Sequence, residues 1–222
     1  MSKSDDSTMS ENRGRFISLE GIEGAGKSTV IHELERVLKA RGIDRLRTRE
    51  PGGTPRAEAV RDLVLSRDFD EPLHPRAELL LVFAAREQHL QEVIRPALAR
   101  GTWVICDRFT DATYAYQGAG RGLDDAHIAM LADWLHADAW PDLTLLLDVP
   151  ESVGLARIEG RGEPDRFEIE QAEFFARARA AYLARAEAEP DRFHVIDATA
   201  SLAEVRALAR TAVQGLLEAG AS

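Results

Sequence analysis

The amino-acid sequence predicts an α/β fold in which a parallel sheet is covered by helices on both faces. Short apolar runs alternate with helical patterns along the 222 residues. Such runs are typical of buried parallel strands, because crossover helices cover both faces of a parallel sheet. The sequence contains no internal repeat, no low-complexity stretch and no linker. We therefore expect a single domain over 14–222, preceded by a disordered polar tail at 1–13.

Five strands are expected, and each is short and, except for the second, mostly apolar. They are Phe16–Leu19, Arg45–Thr48, Trp103–Cys106, Leu143–Val149 and His194–Ile196. Six helices are expected around them, at Ser28–Arg41, Pro55–Ser66, Pro75–Arg100, Asp124–Ala137, Glu168–Glu189 and Leu202–Leu217. The first helix shows the signal clearly, because apolar residues recur at helical spacing from Val30 to Leu38 before Gly42 stops it.

The loop between the first strand and the first helix, Gly21–Ser28, fits the pattern G-x-x-x-x-G-K-[ST]. Glycines let backbone N–H groups turn inward around phosphate oxygens, and Lys27 can reach the terminal phosphates. The Ser28 hydroxyl suits Mg²⁺, and the following helix directs the positive end of its dipole at the anion. Strand, glycine loop and helix occur in the required order. This P-loop predicts the binding of a nucleoside triphosphate.

A charged segment follows the fourth strand and the short stretch after it. Transfer of a phosphoryl group needs more positive charge than one lysine and Mg²⁺ supply, and the variable P-loop positions contain no basic residue. The short, glycine-rich stretch after Arg157 also contains Arg161 and Arg166. Such a stretch is either a solvated connection or a mobile lid. The need for positive charge favours a lid at about 157–167.

Charged residues also stand where strands end, which is where ligands collect in a parallel sheet. Asp107 can hold a water of the Mg²⁺ shell or position the attacking oxygen, and Arg108 can bind an acceptor phosphate. Asp148 competes for the metal role, although we expect it to make structural contacts. Arg49 precedes a rigid Pro-Gly-Gly turn, a pattern that indicates an anion-binding loop.

Composition limits the partners. The formal net charge is −10, so the basic surface that nucleic-acid binding needs is not expected. The single cysteine, Cys106, excludes an internal disulfide and fits a reducing compartment. The longest apolar run, Leu79–Ala85, is too short to span a bilayer, and no signal peptide is visible. We expect no nucleic-acid partner, no membrane association and a cytoplasmic location.

Searches for other chemistries are negative. Switch GTPases read guanine with an Asn-Lys-x-Asp motif, whereas the only asparagine is Asn12 in the tail. No histidine fits a metal-binding pattern and no serine fits a nucleophile elbow. We expect His32, His89 and His136 to lie on solvated helix faces.

Taken together, the motifs resemble the thymidylate kinase family, from about Arg15 to near the C-terminus. The matching segments are Phe16–Thr29, Thr48–Thr54, Ala84–Arg86, Asp107–Gln117 and Asp165–Glu168. The resemblance implies a nucleoside monophosphate kinase-like P-loop fold, with a five-stranded parallel sheet flanked by helices and a short lid. It also implies a homodimer and the phosphorylation of dTMP to dTDP with ATP and Mg²⁺. The alternatives are a kinase of another nucleoside monophosphate and a P-loop ATPase that acts as a switch.

The resemblance implies roles for the residues at matching positions. The residues implied for ATP are Gly21, Glu23, Gly24, Ala25, Gly26, Lys27, Ser28 and Thr29, with Ser28 and Asp107 for the metal. For the acceptor, the implied partners are Arg49 and Arg108 for the monophosphate, Glu23 for the 3′-hydroxyl, Arg86 for the thymine ring, Thr113 and Gln117 for base and sugar, and Tyr116 against the 2′-position.

Two positions depart from the family pattern. Val82 stands where relatives often have a base-stacking phenylalanine, and the neighbouring Phe83 could either stack on the base or pack in the core. In the lid, Glu159 stands where some relatives carry an arginine. Arg161 is therefore the first candidate for the catalytic lid arginine and Arg157 the second.

Overall fold

The computed structural model describes residues 13–159, 165–168 and 170–219. Five strands form one sheet in which every pairing is parallel, in the order β2-β3-β1-β4-β5. The strands are β1 (Phe16–Glu20), β2 (Arg45–Arg49), β3 (Trp103–Asp107), β4 (Leu143–Asp148) and β5 (Phe193–Asp197). The expected five-stranded parallel sheet is confirmed: β1 to β4 begin at the expected residues, and every other strand end lies one residue from the expected one.

Helices connect the strands. They are α1 (Lys27–Ala40), α2 (Pro55–Leu65), α3 (Pro75–His89), α4 (Arg95–Ala99), α5 (Thr110–Thr113), α6 (Asp125–His136), α7 (Glu151–Ile158), α8 (Ala172–Ala188) and α9 (Leu202–Ala219). Two π-helical turns, Leu90–Ile94 and Tyr114–Gly120, continue α3 and α5. None of the helices in the described ranges is long and apolar enough to cross a membrane.

The two faces of the sheet bury separate cores, as helices on both faces require. Alternate residues of a strand point to opposite faces. In β1, Ile17 and Leu19 belong to the larger core with α1, α8 and α9, whereas Phe16 belongs to a second core. In β3, Ile105 joins the first core and Val104 the second. The sheet is therefore the inner layer of a three-layer α/β fold.

The helix expected at Pro75–Arg100 is interrupted by the π-helical turn Leu90–Ile94. Pro96 lies in the first turn of α4 and has no backbone N–H to donate. The backbone N–H of Arg95 donates to the oxygen of Leu90, five residues earlier, so the chain widens by one residue before the proline. The turn thus accommodates the proline without ending the helical path.

Two helical segments were not anticipated. The stretch Thr110–Gly120 is helical throughout, although glycines at 118 and 120 weaken its sequence signal. The short α7 ends within the expected lid at about 157–167, of which 160–164 fall outside the described residues. The helix expected to begin at Glu168 begins at Ala172 instead. The missed segment Thr110–Gly120 matters most, because it lines the functional site.

Candidate active site

The P-loop is shaped by glycines that no other residue could replace. Gly21 and Gly24 have φ of 133° and 74°, a region that L-residues rarely adopt. A Cβ on Gly24 would lie 2.0 Å from the carbonyl oxygen of Gly154, and one on Gly21 would lie 2.5 Å from that of Leu147. The loop is therefore packed against α7 and the end of β4, and its N–H groups surround the start of α1.

A cavity of about 1130 Å³, here called the loop cavity, opens over this loop. Its lining includes every residue from Glu23 to Thr29, together with Asp107, Arg108 and Arg157. The Lys27 Nζ donates to the carbonyl oxygens of Gly21 and Ile22, at 3.2 and 3.4 Å. Burial lowers the pKa of Lys27, and the positive charge of Arg108 lowers it further. The ammonium group is therefore held at the loop, within the expected phosphate site.

Asp107 and Ser28 both line the loop cavity. The buried Oδ1 of Asp107 has no hydrogen-bond partner within the described ranges. Among those residues there is also no group of three or more His, Cys, Asp or Glu side chains that could hold a metal ion alone. Mg²⁺ fits such a site, because it is commonly held by one or two protein oxygens plus substrate phosphates and water.

Asp148, the other acidic strand end, has a different environment. Its two carboxylate oxygens accept from Nε and Nη2 of Arg179, at 2.7 and 2.9 Å. A carboxylate occupied by a bidentate arginine makes structural contacts. The structure therefore favours Asp107 over Asp148 as the metal-binding carboxylate.

A second cavity of about 530 Å³ lies beside the first. Its polar lining is formed by Glu23, Glu50, Arg61, Arg86, Arg108, Thr113, Tyr116, Gln117 and Asp165. Its apolar lining is formed by Pro51, Leu65, Val82, Phe109, Ala112 and Phe167. This mixture of apolar walls with convergent polar groups is typical of a small-molecule site.

The two cavities share Glu23 and Arg108 as lining residues. Arg108 donates through Nη2 to Glu23 Oε1 at 2.7 Å and through Nη1 to the Gly21 oxygen at 2.8 Å. The Tyr116 hydroxyl donates to the other oxygen of Glu23, and its ring lies 4.7 Å from the Arg108 guanidinium carbon. Burial alone would raise the pKa of Glu23, but the charges of Arg108 and Lys27 lower it overall. A charged carboxylate thus stands at the junction.

Arg86 is fixed at the far side of the second cavity from several directions. Its Nε donates to Glu50 at 2.6 Å, and its Nη2 donates to the Thr113 hydroxyl at 3.0 Å. Glu50 is held in turn by His89, 3.1 Å away, whose other ring nitrogen lies 2.6 Å from the Thr48 hydroxyl. The buried Nη1 of Arg86 has no partner among the residues that the structure describes. Arg86 therefore offers a donor to a ligand.

Arg49 and Arg61 differ in a way the sequence did not reveal. Arg49 is half exposed, pairs with Glu58 at 2.7 Å and does not line the second cavity. Arg61 lines it and donates to the Pro51 oxygen at 3.0 Å. Burial lowers the pKa of Arg61, and the positive charge of Arg49 lowers it further. Arg61 was missed, although its spacing from Ala57 and Val64 places it on the buried face of α2.

Phe83 does not reach the second cavity; Val82 does. Adjacent helical residues point about 100° apart, so only one of the two can face the cavity. Phe83 is 2% exposed and packs in a core cluster with Leu79 and Tyr114. Its ring lies 4.8 Å from the guanidinium carbon of Arg86 and supports it from behind. Base stacking by Phe83 is thus corrected to core packing.

Two of the three histidines expected on solvated faces are buried. His89 is fully buried and completes the Glu50 network. His136 is also fully buried, and burial lowers its pKa to about 4. It lies against Phe109 with 5.1 Å between the ring centroids. His32 is exposed, as expected.

The lid arginines do not share one position. Arg157 lines the loop cavity and donates to the oxygens of Gly24 and Ala198, at 3.4 and 3.0 Å. Arg166 instead donates to the Val64 oxygen at 2.8 Å and pairs with the buried Glu78. Arg161 lies outside the described residues. The structure thus brings Arg157 to the P-loop and places Arg166 elsewhere.

A P-loop cavity joined through a shared arginine to a second cavity with convergent polar groups defines a P-loop phosphotransferase. Comparisons with known proteins give the family. The family model described as thymidylate kinase matches residues 19–209. The chain belongs to the thymidylate kinase family.

Individual relatives agree. The thymidylate kinase of Chromohalobacter salexigens is 60% identical over 195 residues, which are 87% of this chain and 92% of the relative. That of Pseudomonas savastanoi pv. phaseolicola is 56% identical over 205 residues, 92% of this chain and 97% of the relative. The crystal structure of thymidylate kinase from Ehrlichia chaffeensis matches with a TM-score of 0.72 and 33% identity, covering 92% of this chain and 99% of that one.

Proposed function

We propose that this protein transfers the γ-phosphoryl group of ATP to dTMP and releases dTDP and ADP. One observation carries the proposal: Arg108 and Glu23 line both the loop cavity and the second cavity. Two nucleotides bound in these cavities would meet at Arg108. The family assignment supports thymidylate as the acceptor.

In this proposal the loop cavity binds the ATP phosphates. The N–H groups from Gly21 to Thr29 and the Lys27 ammonium bind the phosphate oxygens, as the positive start of α1 favours. Ser28 and Asp107 would hold Mg²⁺, which would neutralise charge that develops on the phosphates. Asp107 also stands at the end of β3, where it can orient the attacking oxygen.

The second cavity binds dTMP in this proposal. Arg108 and Arg61 bind its phosphate, and Arg49 contributes charge from the rim. Glu23 accepts from the 3′-hydroxyl, Tyr116 crowds the 2′-position, and Thr113 and Gln117 line base and sugar. The Nη1 of Arg86, which has no partner among the described residues, donates to a ring carbonyl of thymine. This hydrogen bond gives the buried donor the acceptor that it lacks in the free protein. Val82 contacts the ring in place of the expected Phe83.

The proposal keeps Arg161 as the catalytic arginine of the lid and Arg157 as the alternative. An arginine supplied to the transferring group stabilises its charge, and lid closure excludes water that would compete as acceptor. Arg157 already lies beside Gly24. We further propose a single kinase domain over 14–222 with its lid at about 157–167.

The experiment that tests the function is ADP release from ATP with dTMP, dUMP, UMP, GMP or no acceptor. We expect turnover that depends on an acceptor and prefers dTMP. ADP release without any acceptor would indicate an ATPase switch. Preference for another monophosphate would overturn the thymidylate assignment and leave the phosphotransferase class intact.

We also propose that the protein is a homodimer. Three large apolar side chains on α3 and α6 are more than half exposed, namely Leu80, Met130 and Trp134. Leu80 and Trp134 line a common groove between these helices, and contiguous apolar surface of this kind is typical of an interface. Sedimentation of the full chain tests the assembly.

The net charge of −10 supports the absence of a nucleic-acid partner, and the single free Cys106 supports a cytoplasmic location.

A further inference from the structure

Glu78 is a fully buried carboxylate on α3 that lies behind the second cavity. Its Oε1 accepts from the Gln117 Nε2 at 2.7 Å, and its Oε2 pairs with Arg166 and with Arg121, the latter at 3.3 Å. Gln117 lines the cavity and Glu78 does not. Glu78 therefore meets the cavity only through the Gln117 amide.

The chemistry of the pair determines which way the amide points. A side-chain amide carries a donor NH₂ on one branch and an acceptor oxygen on the other, whereas a carboxylate paired with arginines offers acceptors alone. Only the NH₂ branch of Gln117 can bind Glu78. A flipped amide would place two acceptor oxygens within hydrogen-bond distance with no proton between them. The carbonyl branch is thus the one left for a ligand.

Arg86 supplies the complementary group in the same cavity. Its buried Nη1 has no partner in the described part of the chain, so the cavity presents one unused donor and one acceptor. The edge of thymine or uracil carries a 4-keto acceptor beside an N3–H donor, and matches this pair. Cytosine carries the reverse order, a 4-amino donor beside an N3 acceptor. The cavity is therefore matched to a pyrimidine imide.

We infer that Glu78 is a positioning residue that selects imide pyrimidines by fixing the orientation of the Gln117 amide. The inference rests on the proposed function, since it concerns the base of the acceptor nucleotide. Glu78 itself touches no substrate. Arg121 and Arg166 fix the carboxylate, and Arg121 also pairs with Glu170. The orientation of Gln117 is thus set by a network of ion pairs outside the cavity.

The test is Glu78→Gln in the full chain. The new amide keeps its oxygen toward Arg121 and Arg166, which are donors, and turns its NH₂ toward Gln117. Gln117 must then flip and present its NH₂ to the cavity. We expect kcat/KM to fall by about 10- to 100-fold for dTMP and equally for dUMP, the loss that follows from a mismatched buried hydrogen bond. The dTMP-to-dCMP preference should fall by about 10-fold or more.

Two internal controls separate positioning from general damage. The dTMP-to-dUMP preference should remain unchanged, because both bases carry the same imide edge. Glu170→Gln alters charge in the same ion-pair network without contacting Gln117, and should keep the dTMP-to-dCMP preference of the unmodified protein. The inference is overturned if Glu78→Gln keeps that preference, or if Glu170→Gln lowers it to the same extent.

A second variant covers the case in which Glu78→Gln does not fold. Gln117→Leu removes the amide and leaves the arginine pairs of Glu78 in place. We expect it to lose about 10-fold or more of the dTMP-to-dCMP preference, and an unchanged preference would overturn the inference. Failure of the unmodified protein to use any pyrimidine monophosphate would instead overturn the proposed function, a result distinct from either variant outcome.

Discussion

The two cavities are built by different means. The loop cavity takes seven of its lining residues from the contiguous stretch Glu23–Thr29, and the Asp107 Oδ1 in it lacks a partner among the described residues. In the second cavity, polar side chains from distant parts of the chain are already paired, as in Arg86 with Glu50 and with Thr113. The acceptor side is therefore preorganised, whereas on the triphosphate side the Asp107 oxygen is left for a ligand.

Removing a lid arginine gives the largest expected effect, because the loop cavity depends on charge supplied from outside. We expect Arg161→Ala to lower kcat by about 10³-fold or more, with little change in either nucleotide KM. The measurement is steady-state ADP release with ATP and dTMP. Arg157→Ala is the matched variant, and an unaltered kcat in Arg161→Ala beside a large loss in Arg157→Ala would reverse their order.

Arg61→Ala tests the preorganised side and should have the next largest effect. Arg61 lines the second cavity, so its loss should raise the KM for dTMP by about 10- to 100-fold and leave the KM for ATP unchanged. Arg49→Ala is the control within the same region. It should raise the dTMP KM less, because Arg49 is half exposed and pairs with Glu58. Equal dTMP KM values in the two variants would contradict the distinction between Arg61, which lines the second cavity, and Arg49, which lies at its rim.

The difference between the cavities also explains how much could be predicted. Gly21–Ser28 is contiguous and lies between an apolar run and a helical pattern, so the P-loop could be predicted, and the alternation of such runs and patterns along the chain predicted the sheet. The second cavity assembles α2, α3 and the segment Thr110–Gly120 through tertiary contacts. No local pattern reports which neighbour on α3, Val82 or Phe83, will face that cavity.

The position of Arg61 also depends on tertiary contacts, although the sequence contains a partial signal for it. A charged residue among buried positions of a helix indicates a polar site, but α2 has a weak apolar pattern in which only Ala57 and Val64 are buried. The buried positions His89 and Glu78 have partners more than 35 residues away in the sequence. Their burial follows from those partners, which a single sequence does not identify.

Glu20, the last residue of β1, provides a test that depends on pH. Burial raises the pKa of Glu20 to about 8, and the charge of Asp111 raises it further. In the unfolded chain, Glu20 has its ordinary pKa of 4.5 and loses its proton above that pH. The folded chain still holds this proton up to about pH 8. The free energy of unfolding should fall as pH rises from about 5 to 8, by at most about 1.4 kcal/mol per pH unit from this group.

Glu20→Gln is the matched variant for that pH dependence, since an amide does not titrate. Its free energy of unfolding, measured by urea denaturation at several pH values, should fall less steeply over the same range. Arg108 and Tyr182 face the Glu20 carboxylate, and Lys27 and Cys106 are also nearby. Identical slopes in the variant and the unmodified protein would mean that Glu20 titrates below this range.

The smallest effect should separate Val82 from Phe83. Val82→Ala removes apolar contact from the second cavity, so the dTMP KM should rise by about 2- to 10-fold. Phe83→Leu should do the opposite, because its ring packs in the core beneath Arg86: about 1 kcal/mol of stability is lost and the KM is nearly unchanged. Urea denaturation and ADP release measured on both variants decide between them. A larger change of the dTMP KM in Phe83→Leu than in Val82→Ala would mean that Phe83 contacts the thymine base. It would also mean that the acceptor side rearranges when dTMP binds.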